Sequence, residues 1–423
     1  METSRIVRIL AIASILGAAS WSAMAQEMTA PPPAARELRV HVTAGGRFVD
    51  DLTLADFAVL EDGRALPVSA LSIVRGGQFA RREGEGSIPV SLERTYTLLF
   101  QIMDWDPALA TAVDYLFSSV LIPGDAVALV TPFQSYHMQR DALSQRPKAE
   151  LQKSMKDVLR KDILRGSGEY RNLINELKRL TKSIGGSTTT FDEDMATDPT
   201  METSGGFGLE MQIDRYRQAL MSMESLRLVD EAKLLAFAGS LKPTPGQKTV
   251  IMFYQREYRP EISSTTMTRL MSLYQDNPDI LGNLMDLFQF YKREKTFDAN
   301  KVKKAFADAG IDFHFIFVEK KNQRVFGATM REQSEDTYPG FVEIAHATGG
   351  TADSSLNPST AFKHAADTSR DYYVLSLAPG AGPADGGFRN VRSPRRPRGL
   401  PRLVRAGLLR EVVRGGPRVR ASG

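Results

Sequence analysis

Cysteine is absent from all 423 residues. That absence excludes disulfides, thiol catalysis, Cys-type zinc sites and a lipid anchor on cysteine. Histidine is scarce: His41, His137, His314, His346 and His364 are the whole set, and no two have the His-x-x-x-His spacing of a zinc enzyme. His314 falls inside a buried-strand pattern and reads as a core residue. His346 and His364 fall on predicted helices and read as surface or packing residues. No Gly-x-Ser-x-Gly elbow occurs. The glycine-rich pieces GSGEY (166–170) and TSGGFG (203–208) lack the lysine and strand context of a phosphate loop. Past the N-terminus no apolar run reaches the roughly 20 residues that a spanning helix needs.

What is present begins with METSRIVRILAIASILGAASWSAMAQEM. Arg5 and Arg8 form a basic start, residues 9–19 an apolar core, and Ala23-Met24-Ala25 a small-residue cleavage site. Residues 1–25 therefore read as a signal peptide, and the chain as exported to the periplasm or beyond. Residues 26–36 form a Pro/Ala linker. Hydrophobic content of 42% and charge of 25% are those of a globular protein. The formal charge of +4 is unevenly spread. From Phe388 on, eleven Arg face a single acid, Glu411, which leaves residues 1–387 at −6. A charge argument for nucleic acid or an anionic membrane, made from the whole chain, thus rests on the tail. The tail has no aromatic after Phe388 for base stacking, and no nucleic-acid partner is expected.

ELRVHVTAGGRFVDDL alternates around a Gly-Gly turn, and DFAVLEDGRALPVSALSIV carries a turn at Asp62-Gly63. Residues 37–77 read as a small β-sandwich-like module, and 78–93 as a linker. From Thr95 the rhythm changes. TYTLLFQIMD, DAVALVTP, KTVIMFY, IDFHFIFV and YYVLSLAP are apolar throughout and alternate with helical segments. MQIDRYRQALMSMESLRLVDEAKLLAFAGSL reads as one long helix. Its methionines read as core packing. Helical or loop insertions fall near 180–210 and 258–296, and the acidic run Asp192-Glu193-Asp194 reads as solvated loop. The pattern predicts an α/β fold with a doubly wound, mainly parallel sheet over 94–380. Ligands of such sheets bind beyond the carboxyl ends of the strands. That edge would hold Asp104, Asp106, Thr131, the loop Thr188, Thr189 and Thr190, and Gln255 to Glu257. Residues 381–423 read as disordered, or as a frame-shifted reading of a GC-rich gene, where Arg, Pro and Gly codons dominate.

The segments VHVTAGGRFVDDLTLADFAVLEDGRAL, TLLFQIMD, IPGDAVALVT, KTVIMFY, AGIDFHFIFV, IAHATGGTA and DYYVLSLAP together resemble the von Willebrand factor A-related proteins of secreted bacterial origin, over about 37–380. The resemblance implies a von Willebrand factor A-like fold and a binding module rather than an enzyme. Many such domains use a metal-ion-dependent adhesion site beginning Asp-x-Ser-x-Ser. Here that register gives Asp104, Asp106 and Ala108, and no aspartate follows KTVIMFY. Two close carboxylates remain as ligands for Mg²⁺ or Mn²⁺. Arg256 would oppose the ion or replace it by pairing with Asp104, and Asp106 before Pro107 is a natural N-cap. The favoured expectation is a degenerate adhesion site on a non-catalytic module, with no cofactor and an unknown protein or cell-surface partner. Alternatives are a metal-dependent adhesion domain on Asp104 and Asp106, and a secreted hydrolase.

Overall fold

A computed structural model describes residues 36–44, 47–61, 64–84, 91–186, 199–226, 230–292, 297–322 and 328–377, with short pieces at 391–392, 404–406 and 410–411. The expected signal peptide, nearly all of the linker after it, Thr188 to Thr190, the acidic run and most of the tail lie outside these residues. No described helix is long and apolar enough to cross a membrane.

Three hairpins open the fold: β1 (Arg36–Ala44) with β2 (Arg47–Phe48), β3 (Val59–Glu61) with β4 (Arg64–Leu66), and β5 (Val68–Arg75) with β6 (Gln78–Gly84). Next come β7 (Arg94–Gln101), α1 (Pro107–Tyr115) with a π-helical turn over Leu116–Val120, β8 (Ala126–Val130), β9 (Ser135–Met138), α2 (Ala142–Gln145) and α3 (Lys148–Gly186). α4 (Pro199–Ser225) and α5 (Glu231–Leu241) precede β10 (Gln247–Gln255), β11 (Tyr258–Ile262), α6 (Ser264–Leu273), α7 (Pro278–Lys292) and α8 (Ala299–Asp308). β12 (Ile311–Val318), β13 (Ala328–Glu332), α9 (Tyr338–Ala347), β14 (Ala352–Ser355), α10 (Pro358–Arg370) and β15 (Asp371–Leu377) follow. Three strand fragments complete the set: β16 (Val391–Arg392), β17 (Val404–Ala406) and β18 (Arg410–Glu411).

Two large sheets result. One is seven-stranded and antiparallel, ordered β17-β1-β15-β5-β6, with β2 and β18 also on β1. The other is six-stranded and mixed, ordered β14-β12-β10-β7-β8-β9, with β9 antiparallel to β8. This corrects the expected fold class. The chain is not one doubly wound, mainly parallel sheet behind a small β module, because an antiparallel sheet of comparable size carries the last long strand. YYVLSLAP has the same apolar pattern as the other buried strands, yet β15 lies antiparallel between β1 and β5. An all-apolar strand reports burial on both faces and is silent about the direction of its neighbours. The supposed linker at 78–93 also contains a strand, β6.

Side chains on the mixed sheet feed two cores. Phe100, Phe253 and Ile316 pack with α1, α10 and the start of α3. Phe313, Phe315 and Phe317 pack with α5, α8 and α9. A third core joins the second half of α3 to α4, α6 and α7, and takes Met103 from the strand end. The single long helix expected over 211–241 is two, because Asp230 accepts from Lys233 N (3.0 Å) and starts α5 afresh. At the start of β10, Gly246 has φ 77°. A Cβ there would lie 2.0 Å from the Glu93 carbonyl oxygen, so only glycine fits.

The opposite end of the mixed sheet is closed by buried polar groups. Arg94 grips Asp125 with two hydrogen bonds (2.9 and 2.6 Å), both side chains 3% exposed. His41 of β1 is buried beside Tyr372 and hydrogen-bonds through Nδ1 to the Asp371 carbonyl (3.2 Å). Burial lowers its pKa, against the pull of Asp312. The unfolded chain therefore takes up a proton near pH 6.5 that the folded chain does not. Stability contributed by neutral His41 is full above pH 6.5 and falls below it, by up to about 1.4 kcal/mol per pH unit. Urea melts at pH 7.5 and 5.0 should show a smaller acid loss for His41→Gln than for the parent. An equal loss in both would exclude His41 as the responsible group.

Candidate functional site

Because β7, β10, β12 and β14 run parallel, their carboxyl ends meet at one edge. Gln255 organises it. Its Oε1 accepts from Met103 N (3.0 Å) and Asp104 N (2.9 Å), so a β10 side chain closes the end of β7. Two peptide donors that have left the ladder thereby regain an acceptor. Asp104 then meets the ammonium of Lys320, two residues past β12. Asp106 accepts from Ala108 N (2.8 Å) and caps α1, with Pro107 in the first turn.

Arg256 continues the ladder by donating its N–H to the Val318 carbonyl (2.9 Å). Its guanidinium reaches Glu319 (3.0 Å) and Glu332 (3.3 Å) and lies 5.3 Å from the Phe317 ring centre. Burial works against that charge. A hydrogen bond with Tyr258 and the carboxylates of Glu332 and Glu319 nevertheless hold its pKa above the ordinary value. Glu319 also accepts from Ser354 Oγ (2.6 Å). Asp104, Lys320, Arg256 and Glu319 are 26–34% exposed, so the edge is open to solvent yet ordered by its own charges.

Below this layer the polar groups are buried. Gln101 donates to Glu257 (3.1 Å), and Arg259 pairs with Glu261. A cavity of about 10 Å³ lies between Met103, Tyr170, Met223, Glu257 and Arg259, room for about one water molecule. The helical cap covers this part of the edge: Met103 packs among Tyr170 and Ile174 of α3, and Lys320 sits 5.7 Å from the Tyr170 ring centre.

The expected site residues are thus only partly assembled. Asp104, Asp106 and Arg256 share the edge, but Asp104 and Arg256 take different partners, Lys320 and the two glutamates. Thr131 is committed to scaffold: its hydroxyl donates to Asp162 of α3 (2.9 Å) and accepts from Gln134 N (3.1 Å). Glu319, Lys320, Glu332 and Ser354 join the edge as further members. The signal for the first two was present, since Glu319-Lys320-Lys321 directly follows the strand IDFHFIFV.

At the described part of this edge both carboxylates are already engaged. Lys320 supplies the positive charge opposite Asp104 that a metal would bring, and Asp106 is engaged with a helix terminus. Mg²⁺ requires near-octahedral oxygen donors, and among the described residues no group of three His, Asp or Glu could hold a metal. Comparison with protein-family models, with curated proteins and with solved structures finds no match for this chain.

Gln255→Leu should leave two amide donors without an acceptor and cost about 1–3 kcal/mol. Gln255→Glu retains acceptor oxygens and should cost less. Urea unfolding of the pair checks this, and equal losses would mean that the side chain does not bridge β7 to β10.

Proposed function

We propose that this protein is an exported, non-catalytic interaction module, related to the von Willebrand factor A-related proteins, that meets a protein or surface partner at the carboxyl ends of β7, β10 and β12. One observation carries the reading: the edge presents two partly exposed charge groups, Asp104 with Lys320 and Arg256 with Glu319 and Glu332. Each is anchored from below by backbone hydrogen bonds, so the charges stand in fixed positions before any partner arrives. Preorganised charges of both signs favour specificity and encounter rate over raw affinity. The ammonium of Lys320 makes recognition at this edge independent of metal. The buried Gln101–Glu257 pair supports the edge from beneath.

Thermal melts with and without millimolar Mg²⁺, Mn²⁺ and Ca²⁺, with Asp104→Ala alongside, test the metal-free reading. A site filled at 100 times its Kd would add about 2.7 kcal/mol. No metal-specific shift is expected. A shift abolished in Asp104→Ala would restore the metal-dependent adhesion reading. With a purified partner, Arg256→Ala combined with Lys320→Ala should weaken binding at least tenfold, and unchanged affinity would place recognition elsewhere.

A further inference from the structure

α3 has a second, outward face that the strand-end site does not use. The helix carries ten Lys and Arg against five Asp and Glu, in a chain whose residues 1–387 sum to −6. Its inner face is buried at Leu159, Ile163, Tyr170, Ile174, Leu177 and Ile184. On the outer face Lys153, Arg160, Lys161, Arg165, Arg179 and Lys182 are exposed. Arg171 is exposed too, with its Nε bonded to the Ser167 carbonyl (3.0 Å). Between Lys153 and Lys182 the exposed acids are Asp157 and Glu169. The stripe extends roughly 44 Å at 1.5 Å per residue. Near its middle Leu164 is 42% exposed, between Arg160, Lys161 and Arg165.

We propose that this face of α3 docks the protein on an anionic lipid bilayer. The argument is charge complementarity combined with shape. A long helical row of exposed cations matches an extended anionic plane. The exposed stripe has no aromatic side chain to stack on bases, which disfavours single-stranded nucleic acid. A leucine set among cations is the side chain that reaches the boundary between headgroups and acyl chains in surface-bound helices. Two cores hold the inner face, so the rod is presented already folded and loses little backbone entropy on docking. The long-range attraction should fall with salt, because the charges are exposed.

Sedimentation of the full chain with vesicles tests this. Vesicles of phosphatidylcholine and phosphatidylglycerol in equal parts should bind it at 50 mM NaCl, and pure phosphatidylcholine should not. Raising NaCl to 300 mM should weaken binding more than tenfold. Arg160→Glu, Lys161→Glu and Arg165→Glu together should do the same at low salt, with circular dichroism unchanged. Leu164→Ala should weaken binding several-fold with all charges kept. The matching triple reversal in the tail, Arg395→Glu, Arg396→Glu and Arg398→Glu, should leave most binding intact. The proposal is overturned if anionic vesicles do not bind at 50 mM NaCl, or if the tail variant loses binding while the α3 variant keeps it. It is likewise overturned if duplex DNA binds through α3 and vesicles do not.

Discussion

Everything above the mixed sheet hangs on α3. Its apolar positions recur at helical spacing, but they do not all face one core. Leu151, Leu159 and Ile163 belong to the sheet core, and Tyr170, Ile174, Leu177, Leu180 and Ile184 to the helical cap. A 39-residue helix is about 58 Å long, so a single rigid element fixes how the cap sits over the strand ends. Its interior gives way to polar ties where the two cores meet. Asp162 there accepts from both Thr131 and Tyr136 (2.9 Å each), binding the β8–β9 turn to the helix. Burying that carboxylate is tolerable because two hydroxyls satisfy it.

The same logic of satisfaction shapes the edge. Strands that end at different heights leave amides without ladder partners, and a buried orphan amide is costly. Gln255 supplies one carbonyl oxygen to two such amides, and Asp106 supplies an oxygen to the first turn of α1. Once those donors are placed, the charged groups above them have few positions left to occupy. Asp104 turns to Lys320, and Arg256 turns to Glu319 and Glu332.

Local information in the chain reached the elements and some of their caps. The buried strands at 94–101, 126–130, 247–255 and 311–318 are legible as apolar runs, and Asp106-Pro107 as the opening of a helix. Strand partnership was not legible. β15 reads like a parallel strand because both kinds of buried strand are apolar, and only the distant β1 and β5 decide where it goes. The ion pairs failed for the same reason. Lys320 lies 216 residues from Asp104, and nothing local in either segment announces the other. Arg256 was the nearer cation in sequence to KTVIMFY, but its backbone turns toward β12, which carries the guanidinium to Glu319. The outward face of α3 was hidden by averaging, since its positive charge is cancelled in any sum over residues 1–387.

The pairing of β1 with β15 has a mechanical side. Arg36 stands opposite Leu377, and successive pairs run from there to Val40 opposite Tyr373. A tension applied between those two ends would peel this ladder like a zipper, breaking one pair of hydrogen bonds at a time. It would not shear the whole strand at once. The antiparallel sheet should therefore yield first and at low force, while the mixed sheet, whose strands lie wholly between residues 94 and 355, stays shielded from the pull.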